Sequence, residues 1–155
     1  MFFRGYFILF TIFIFQSASA QKNISFVGNL NYNQKINDIW GYVDSTGNEY
    51  ALVGGTNGTS IVKLSNPAAP TEIFYIPGDT SVWRDLKTYN DFAYVTNEEN
   101  GGLLIIDLRD LPNSINYEYW NIGILNFQTA HNIYIDEFGF AYLFGSNNAN
   151  QGALI

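Results

Sequence analysis

Short runs of aliphatic and aromatic residues recur along this chain between turns that are rich in glycine, asparagine and proline. Residues 49–54, 91–96 and 139–144 align with one another, and each run has an aromatic residue followed by alanine at its second and third positions. The three alanines are 42 and 48 residues apart. Nowhere does a long run with the 3.6-residue spacing of an amphipathic helix compete with this pattern, so the repeats predict strands.

Further apolar runs flank each of these strands in the same order. A third strand begins at or directly after a glycine in each repeat, and Pro-containing turns at 65–70 and 109–113 end its pairing, since proline has no amide hydrogen to donate. The predicted first strands are 36–43, 82–89 and 130–135, the third strands are 58–64, 102–108 and 152–155, and the outer strands are 71–76 and 117–122.

Four short strands repeated every 40 to 50 residues or so are typical of a β-propeller blade. We therefore predict an all-β fold, a partial β-propeller of about three four-stranded antiparallel blades at residues 36–78, 82–123 and, incomplete, 129–155. Propellers close with ~4 to 8 blades, and the pattern stops inside a repeated strand, so we expect the sequence to be truncated before ring closure. Residues 23–30 are predicted to form an outer strand for a blade further along the chain.

The first twenty residues have the features of a secretory signal peptide. Arg4 precedes an apolar stretch at 6–15, and small residues at 18 and 20 fit signal peptidase. The stretch is about half the roughly 20 residues that cross a bilayer, which disfavours the alternative of an uncleaved anchor. We predict cleavage after Ala20, a propeller domain at 21–155 and a secreted or cell-surface location, with no membrane insertion after cleavage.

The charge balance and the absence of cysteine narrow the function further. The chain has 7 basic and 14 acidic residues, a net charge of −7. An acidic chain without a Lys/Arg cluster repels phosphate backbones, which argues against nucleic acid as a partner. With no cysteine, the chain has neither disulfides nor a thiol that could accept a lipid.

Polar and aromatic residues near the starts of the first strands are the candidate ligand site. Trp40, Trp83 and His131 lie nine or ten residues before the aromatic residue of their second strands. We expect them to occupy nearly equivalent places and to gather near the central axis. Flat rings stack on sugars or peptides, and neighbouring polar groups fix orientation. The alternative is packing between blades. The predicted ligand-binding residues are Trp40, Trp83, Arg84, Asp85, His131 and Asn132.

Catalytic and metal chemistry have weak sequence support. His131 is the only histidine, whereas catalytic zinc usually takes two or three, and no Gly-x-Ser-x-Gly turn is present. The acidic turns at 98–99 and 136–137 lack the spacing of a calcium loop. We therefore predict no catalytic residue, no cofactor and no metal, and a noncatalytic module that binds an extracellular protein, peptide or glycan. Two alternatives remain: a propeller hydrolase or lyase using Arg84, Asp85 and His131, and a structural spacer.

Four stretches together, in this order, resemble the choice-of-anchor B family, whose repeats are related to the LVIVD type. The stretches are Asn37 to Tyr42, Trp83 to Leu86, Gly102 to Leu108 and Ala130 to Ile133. The resemblance implies a β-propeller on exported bacterial proteins that are held at the surface by varied C-terminal anchors. It implies no catalytic residue and leaves the ligand open.

Overall fold

The computed structural model describes residues 24–121, 126–148 and 152–155. The predicted signal peptide at 1–20 lies outside the described residues, as does Asn23 at the start of the predicted N-terminal strand. Within the described ranges, no helix is long and apolar enough to cross a bilayer.

The described chain folds into three consecutive antiparallel sheets, which confirms the all-β prediction of partial β-propeller blades. In each sheet the strands pair in sequence order, so that every strand lies beside the one before it. The first sheet contains β1 (Ile36–Val43), β2 (Glu49–Gly55), β3 (Gly58–Lys63) and β4 (Thr71–Pro77); the second contains β5 (Leu86–Tyr89), β6 (Phe92–Val95), β7 (Leu103–Asp107) and β8 (Asn116–Trp120); the third contains β9 (Asn132–Ile135), β10 (Ala141–Phe144) and β11 (Ala153–Leu154).

Apolar side chains from facing sheets form the core. Leu52, Ile61, Leu86 and Ile106 are fully buried in a cluster between the first and second sheets. A second cluster, which includes Phe127, Ile133 and Leu143, fills the space between the second and third sheets. Both faces of β2 and β3 are covered, and this explains why nearly every residue of these two strands is buried instead of every second one.

The turns between the first and second strands have different lengths in different sheets. In the first sheet, Asp44 caps a five-residue turn by accepting hydrogen bonds from the backbone N–H groups of Thr46 and Asn48, both at 2.9 Å. In the second sheet, only Asn90 and Asp91 separate the strands, and Asn90 takes a φ of 51°, the left-handed region that asparagine tolerates.

The inner strands β5 and β9 begin later than the sequence predicts, at Leu86 instead of residue 82 and at Asn132 instead of residue 130. At this end of the second sheet, side chains replace part of the ladder: the Asp85 N–H donates to Thr96 Oγ1 at 3.1 Å. Residues 82–85 and 130–131 are therefore strand entrances rather than strand. The remaining predicted boundaries differ from the observed ones by at most two residues, and residue 122 of the predicted outer strand 117–122 lies outside the described residues.

The strand predicted at 23–30 stays a prediction, because the blade further along the chain that it would complete is not among the described residues. Within the described chain, residues 24–30 form no strand. Their backbone has no ladder partner among the described residues. Instead, Leu30 and Tyr32 pack against a small apolar cluster of Ala51, Val53 and Val62 on the outward face of the first sheet. Side-chain packing, not backbone pairing, holds this end of the segment.

Candidate functional site

The three sheets are joined by the same side-chain contact at corresponding positions. Asp38 Oδ2 accepts a hydrogen bond from the Leu86 N–H at 3.0 Å, and Asp85 Oδ2 accepts one from the Ile133 N–H at 2.8 Å. Donor and acceptor are 48 residues apart in both cases. Asn132 follows Asp85 by the 47 residues that separate Asp38 from Asp85, so it occupies the third corresponding position. We call this contact the intersheet clamp.

Asp85 has more hydrogen-bonding partners than Asp38, the other clamp carboxylate. It also pairs with Lys87 and accepts a longer hydrogen bond, at 3.4 Å, from Asn132 Nδ2. Burial by itself raises the pKa of Asp85, but the hydrogen bonds from Lys87 and the Ile133 N–H outweigh burial, and the net pKa is lowered. Asp85 is therefore an ionised group whose acceptor positions already serve the joint between the second and third sheets.

Arg84 lies inside the first intersheet joint, with only 6% of its surface exposed. Its guanidinium donates to three carbonyl oxygens of the preceding sheet and its exit loop, those of Gly55 at 2.9 Å, Thr56 at 3.5 Å and Asp79. Burial lowers the pKa of Arg84 from a value so high that the group stays charged. The side chain satisfies backbone acceptors and does not reach a ligand surface.

Trp40, Trp83 and His131 do not occupy corresponding places, contrary to the sequence prediction. His131 directly precedes Asn132, as Arg84 precedes Asp85, whereas Trp83 lies one residue further back. Trp40 lies in the middle of β1 opposite Leu52, the register position that Lys87 and Tyr134 occupy in the other sheets. Counting back from the second strand failed because β1 and β2 pair for two residues beyond Ala51, whereas the pairing of β9 with β10 ends at Ala141. Trp40 Nε1 donates to Thr88 Oγ1 at 3.0 Å, and Lys87 Nζ lies 4.4 Å from its ring centroid.

Trp83 and His131 do come together, as the sequence predicts. Their ring centroids are 6.0 Å apart in an edge-on arrangement, and Trp83 is 50% exposed. His131 Nδ1 contacts Glu98 Oε1, and both side chains are partly open to solvent. The two residues enter from different sheets, because Trp83 precedes β5 and His131 precedes β9. The strand entrances therefore form one continuous surface across the second joint.

Beside Trp83, a cleft of about 500 Å³ opens between the entrances of the first and second sheets. Its wall includes Trp83, Val82 and Ile36, all exposed, together with the amide side chains of Gln34 and Asn37. Asn37 Nδ2 donates to the Val82 carbonyl at 3.1 Å, and Gln34 Oε1 accepts from the Asn57 N–H at 2.8 Å. These bonds fix the amides around the aromatic wall.

Sequence reasoning missed Gln34, Asn37, Val82 and Glu98 as members of this surface. A signal for Asn37 was present, because it precedes clamp residue Asp38 just as Arg84 precedes Asp85 and His131 precedes Asn132. Glu98 lies in the turn after β6, where it meets the entrance of the next sheet. Predicting the contact between Glu98 and His131 requires knowing how the second and third sheets stack on each other.

The described residues hold no group of three or more histidine, aspartate or glutamate side chains that could bind a metal. The hydrolase or lyase alternative requires Arg84, Asp85 and His131 to act together. Arg84 lies in the joint between the first and second sheets, whereas Asp85 lies in the joint between the second and third. What the surface offers is an exposed aromatic ring, flanking amides and an imidazole paired with a carboxylate. Those groups can stack on a flat ligand and hydrogen-bond to it.

Comparison with known proteins identifies repeats but no counterpart for the whole chain. Residues 45–76 and 78–114 each match the LVIVD repeat. No curated protein and no solved structure matches the chain. The first match spans β2 to β4 and the second spans β5 to β7, so each coincides with three successive strands of the structure. These two matches identify two LVIVD-type repeats within the chain.

Proposed function

We propose that this protein is an exported, noncatalytic β-propeller module of the choice-of-anchor B type, secreted or displayed at the cell surface, that binds an extracellular glycan. The observation that carries the proposal is the cleft beside Trp83. An aromatic ring that is half exposed on the wall of a cleft between two sheets provides a stacking surface for a flat ligand.

The lining of the cleft favours a neutral sugar over a charged ligand. Gln34, Asn37 and Asn57 contribute amides, whereas Lys35 is the one charged residue among the described lining residues. Amides donate to and accept from sugar hydroxyl groups, and an aromatic face stacks on the C–H face of a pyranose ring. The net charge of −7 disfavours anionic polymers over the whole surface.

A glycan array probed with the purified protein tests this proposal, followed by titration of any retained sugar in solution. Trp83→Ala should weaken binding about tenfold or more, because an exposed aromatic in a cleft is the kind of residue that dominates binding energy. Tyr117→Ala is the matched control, since Tyr117 is also about half exposed but lies on the outer strand β8. Its affinity should equal that of the unmodified protein.

Four outcomes decide between the functional classes. Binding of a sugar that Trp83→Ala weakens supports the glycan module. Retention of a peptide or protein but no sugar contradicts the ligand class, and the absence of any ligand favours the structural spacer. Hydrolase or lyase turnover that His131→Ala abolishes would favour the enzyme alternative, which would then have to operate without Arg84 in contact with substrate.

The export part of the proposal depends on residues 1–20. Expression of the full chain in a bacterial host should release a protein whose first residue is Gln21, as N-terminal sequencing would show. An intact N-terminus on a membrane-bound product would contradict cleavage after Ala20.

A further inference from the structure

Trp83 borders two polar surfaces that belong to different joints of the stack. It forms part of the wall of the cleft between the first and second sheets, together with Asn37 and Val82. Its ring also meets the imidazole of His131 at the entrance of the third sheet, with 6.0 Å between the ring centroids. Neither His131 nor Glu98 lines the cleft, so a ligand that touches both surfaces has to extend along Trp83 from one joint to the next.

The pair of His131 and Glu98 has a different chemistry from the amides of the cleft. His131 Nδ1 contacts Glu98 Oε1, and the two side chains are 47% and 37% exposed. The second carboxylate oxygen and His131 Nε2 make no hydrogen bond to any other described residue. Because a carboxylate only accepts hydrogen bonds, the pair suits a ligand group that donates them, such as a sugar hydroxyl, and it repels a ligand carboxylate.

Hydrogen bonds to the backbone hold these two surfaces in place. The buried Ser81 hydroxyl donates to the Trp83 carbonyl at 2.8 Å, which fixes the strand entrance that carries the indole. The Ala130 N–H donates to the Asn97 carbonyl at 2.9 Å. This bond joins the entrance of the third sheet directly to the turn after β6, so that the imidazole and the carboxylate of the pair are positioned together. A surface fixed in this way loses little conformational freedom when a ligand binds.

We propose that the ligand is a glycan chain of at least two sugar units, with one unit in the cleft and the next against the pair of His131 and Glu98, and that this pair selects against acidic sugars. The inference rests on the proposed glycan-binding function and specifies its ligand. Trp83 contacts both units, because its ring belongs to the cleft wall and also meets the imidazole. The Glu98 carboxylate accepts hydrogen bonds from hydroxyl groups of the second unit, whereas a uronic acid there would bring a like charge.

Calorimetric titration with the mono-, di- and trisaccharides of glucose, galactose, mannose and N-acetylglucosamine tests the length of the ligand. In a series that the protein binds, the disaccharide should have a dissociation constant at least about tenfold lower than that of the monosaccharide. His131→Ala should reduce this ratio to about twofold or less, because it removes a contact that the second unit makes. Tyr117→Ala, at a similarly exposed side chain on the outer strand β8, should keep the full ratio.

Failure of this inference differs from failure of the proposed function. A monosaccharide that binds as tightly as its disaccharide, with both weakened by Trp83→Ala, would refute the two-unit ligand and leave the glycan module standing. A ratio that His131→Ala leaves intact would show that the second unit lies elsewhere and would also refute the inference. Absence of binding in all four series would refute it as well, and an array that retains no sugar at all would refute the proposed function with it.

Comparison of the bound disaccharide with its derivative oxidised to a carboxylate at carbon 6 tests the selection against acidic sugars. The derivative should bind the unmodified protein at least about tenfold more weakly. Glu98→Gln should narrow this difference to about threefold or less, because the amide keeps an acceptor oxygen without the charge. Glu118→Gln, at an exposed carboxylate on β8, should leave the difference unchanged. A derivative that binds as well as its parent, or a difference that Glu98→Gln does not alter, would refute the role of Glu98.

Discussion

The two joints between sheets place different residues at the same position and use them differently. At the first joint, Arg84 precedes clamp residue Asp85, is 6% exposed and binds three carbonyl groups of the preceding sheet and its exit loop. At the second joint, His131 precedes Asn132 and meets Glu98 of the preceding sheet, with 47% of its side chain exposed. Both residues reach back to the turn after the second strand of their neighbour.

The difference shows how a repeated frame can produce a site in one place and not in another. The clamp requires only the acceptor of Asp38 or Asp85, so the residue before it is free to vary. Where it is a long cation, it fills the joint and satisfies backbone oxygens. Where it is an imidazole, the joint stays partly open and a polar surface remains beside Trp83.

Arg84→Ala should have the largest effect of the changes that probe this comparison. It removes a buried charge-assisted donor from three carbonyl oxygens, and we expect a loss of about 3 kcal/mol in the free energy of unfolding. Urea denaturation measures the loss. Arg109→Ala is the control, because Arg109 pairs with Asp107 on the surface, and exposed pairs contribute about 0–1 kcal/mol. Equal losses would show that Arg84 does not secure the first joint.

Substitutions in the intersheet clamp should cause the next largest losses in the free energy of unfolding. Asp85→Ala leaves the buried Ile133 N–H without its acceptor and should cost about 2 kcal/mol. Asp38→Ala removes a clamp that has one described partner, Leu86, and should cost less. Asp85→Asn retains an acceptor oxygen and should cost the least of the three, since asparagine stands naturally at position 132. If Asp85→Ala proves no worse than Asp85→Asn, the clamp does not stabilise the joint.

The negative charge of Asp85 predicts that the free energy of unfolding depends on pH. Its folded pKa is lowered below an unfolded value of about 3.9, so its ionised form adds stability that is complete above about pH 4 and is lost as the pH falls through the folded pKa. The difference in unfolding free energy between the unmodified protein and Asp85→Asn should therefore shrink as the pH falls below about 4. A difference that is constant from pH 6 to pH 3 would contradict this sign.

His131→Ala should have the smallest effect on stability. The pair with Glu98 is half exposed, and such pairs contribute up to about 1 kcal/mol. Glu98→Gln should behave similarly, because it removes the same contact from the other side. A loss from His131→Ala as large as that from Arg84→Ala would erase the distinction between the two joints.

The fold could be predicted from the sequence because its signals are local. Aromatic-alanine pairs recur with spacings of 42 and 48 residues, and a glycine-initiated strand follows each of them. Within each sheet, every strand pairs only with its neighbours in the sequence. The strand predicted at residues 23–30 has no such local partner. An apolar alternating run indicates that a strand is possible, but a ladder partner has to be present beside it.

The candidate site was predicted only in part, because it depends on how one sheet lies against the next. Trp83 and His131 were identified from their distance to the second strand, and they meet. The same count misplaced Trp40, since β1 and β2 pair for two residues beyond Ala51, whereas the pairing of β9 with β10 ends at Ala141. Arg84 has the charge and donors of a ligand-binding residue. Only the positions of the Gly55 and Thr56 carbonyls show that its guanidinium binds the protein backbone instead.

The clamp residues have a consequence for how such a gene can change in length. Asp38 and Asp85 each accept a hydrogen bond from the backbone of the next sheet, and Asn132 holds the same position at the same spacing of 47 residues. An in-frame duplication of one unit therefore arrives with both halves of its attachment already encoded. Repeat number can grow or shrink by recombination without any new contact having to evolve.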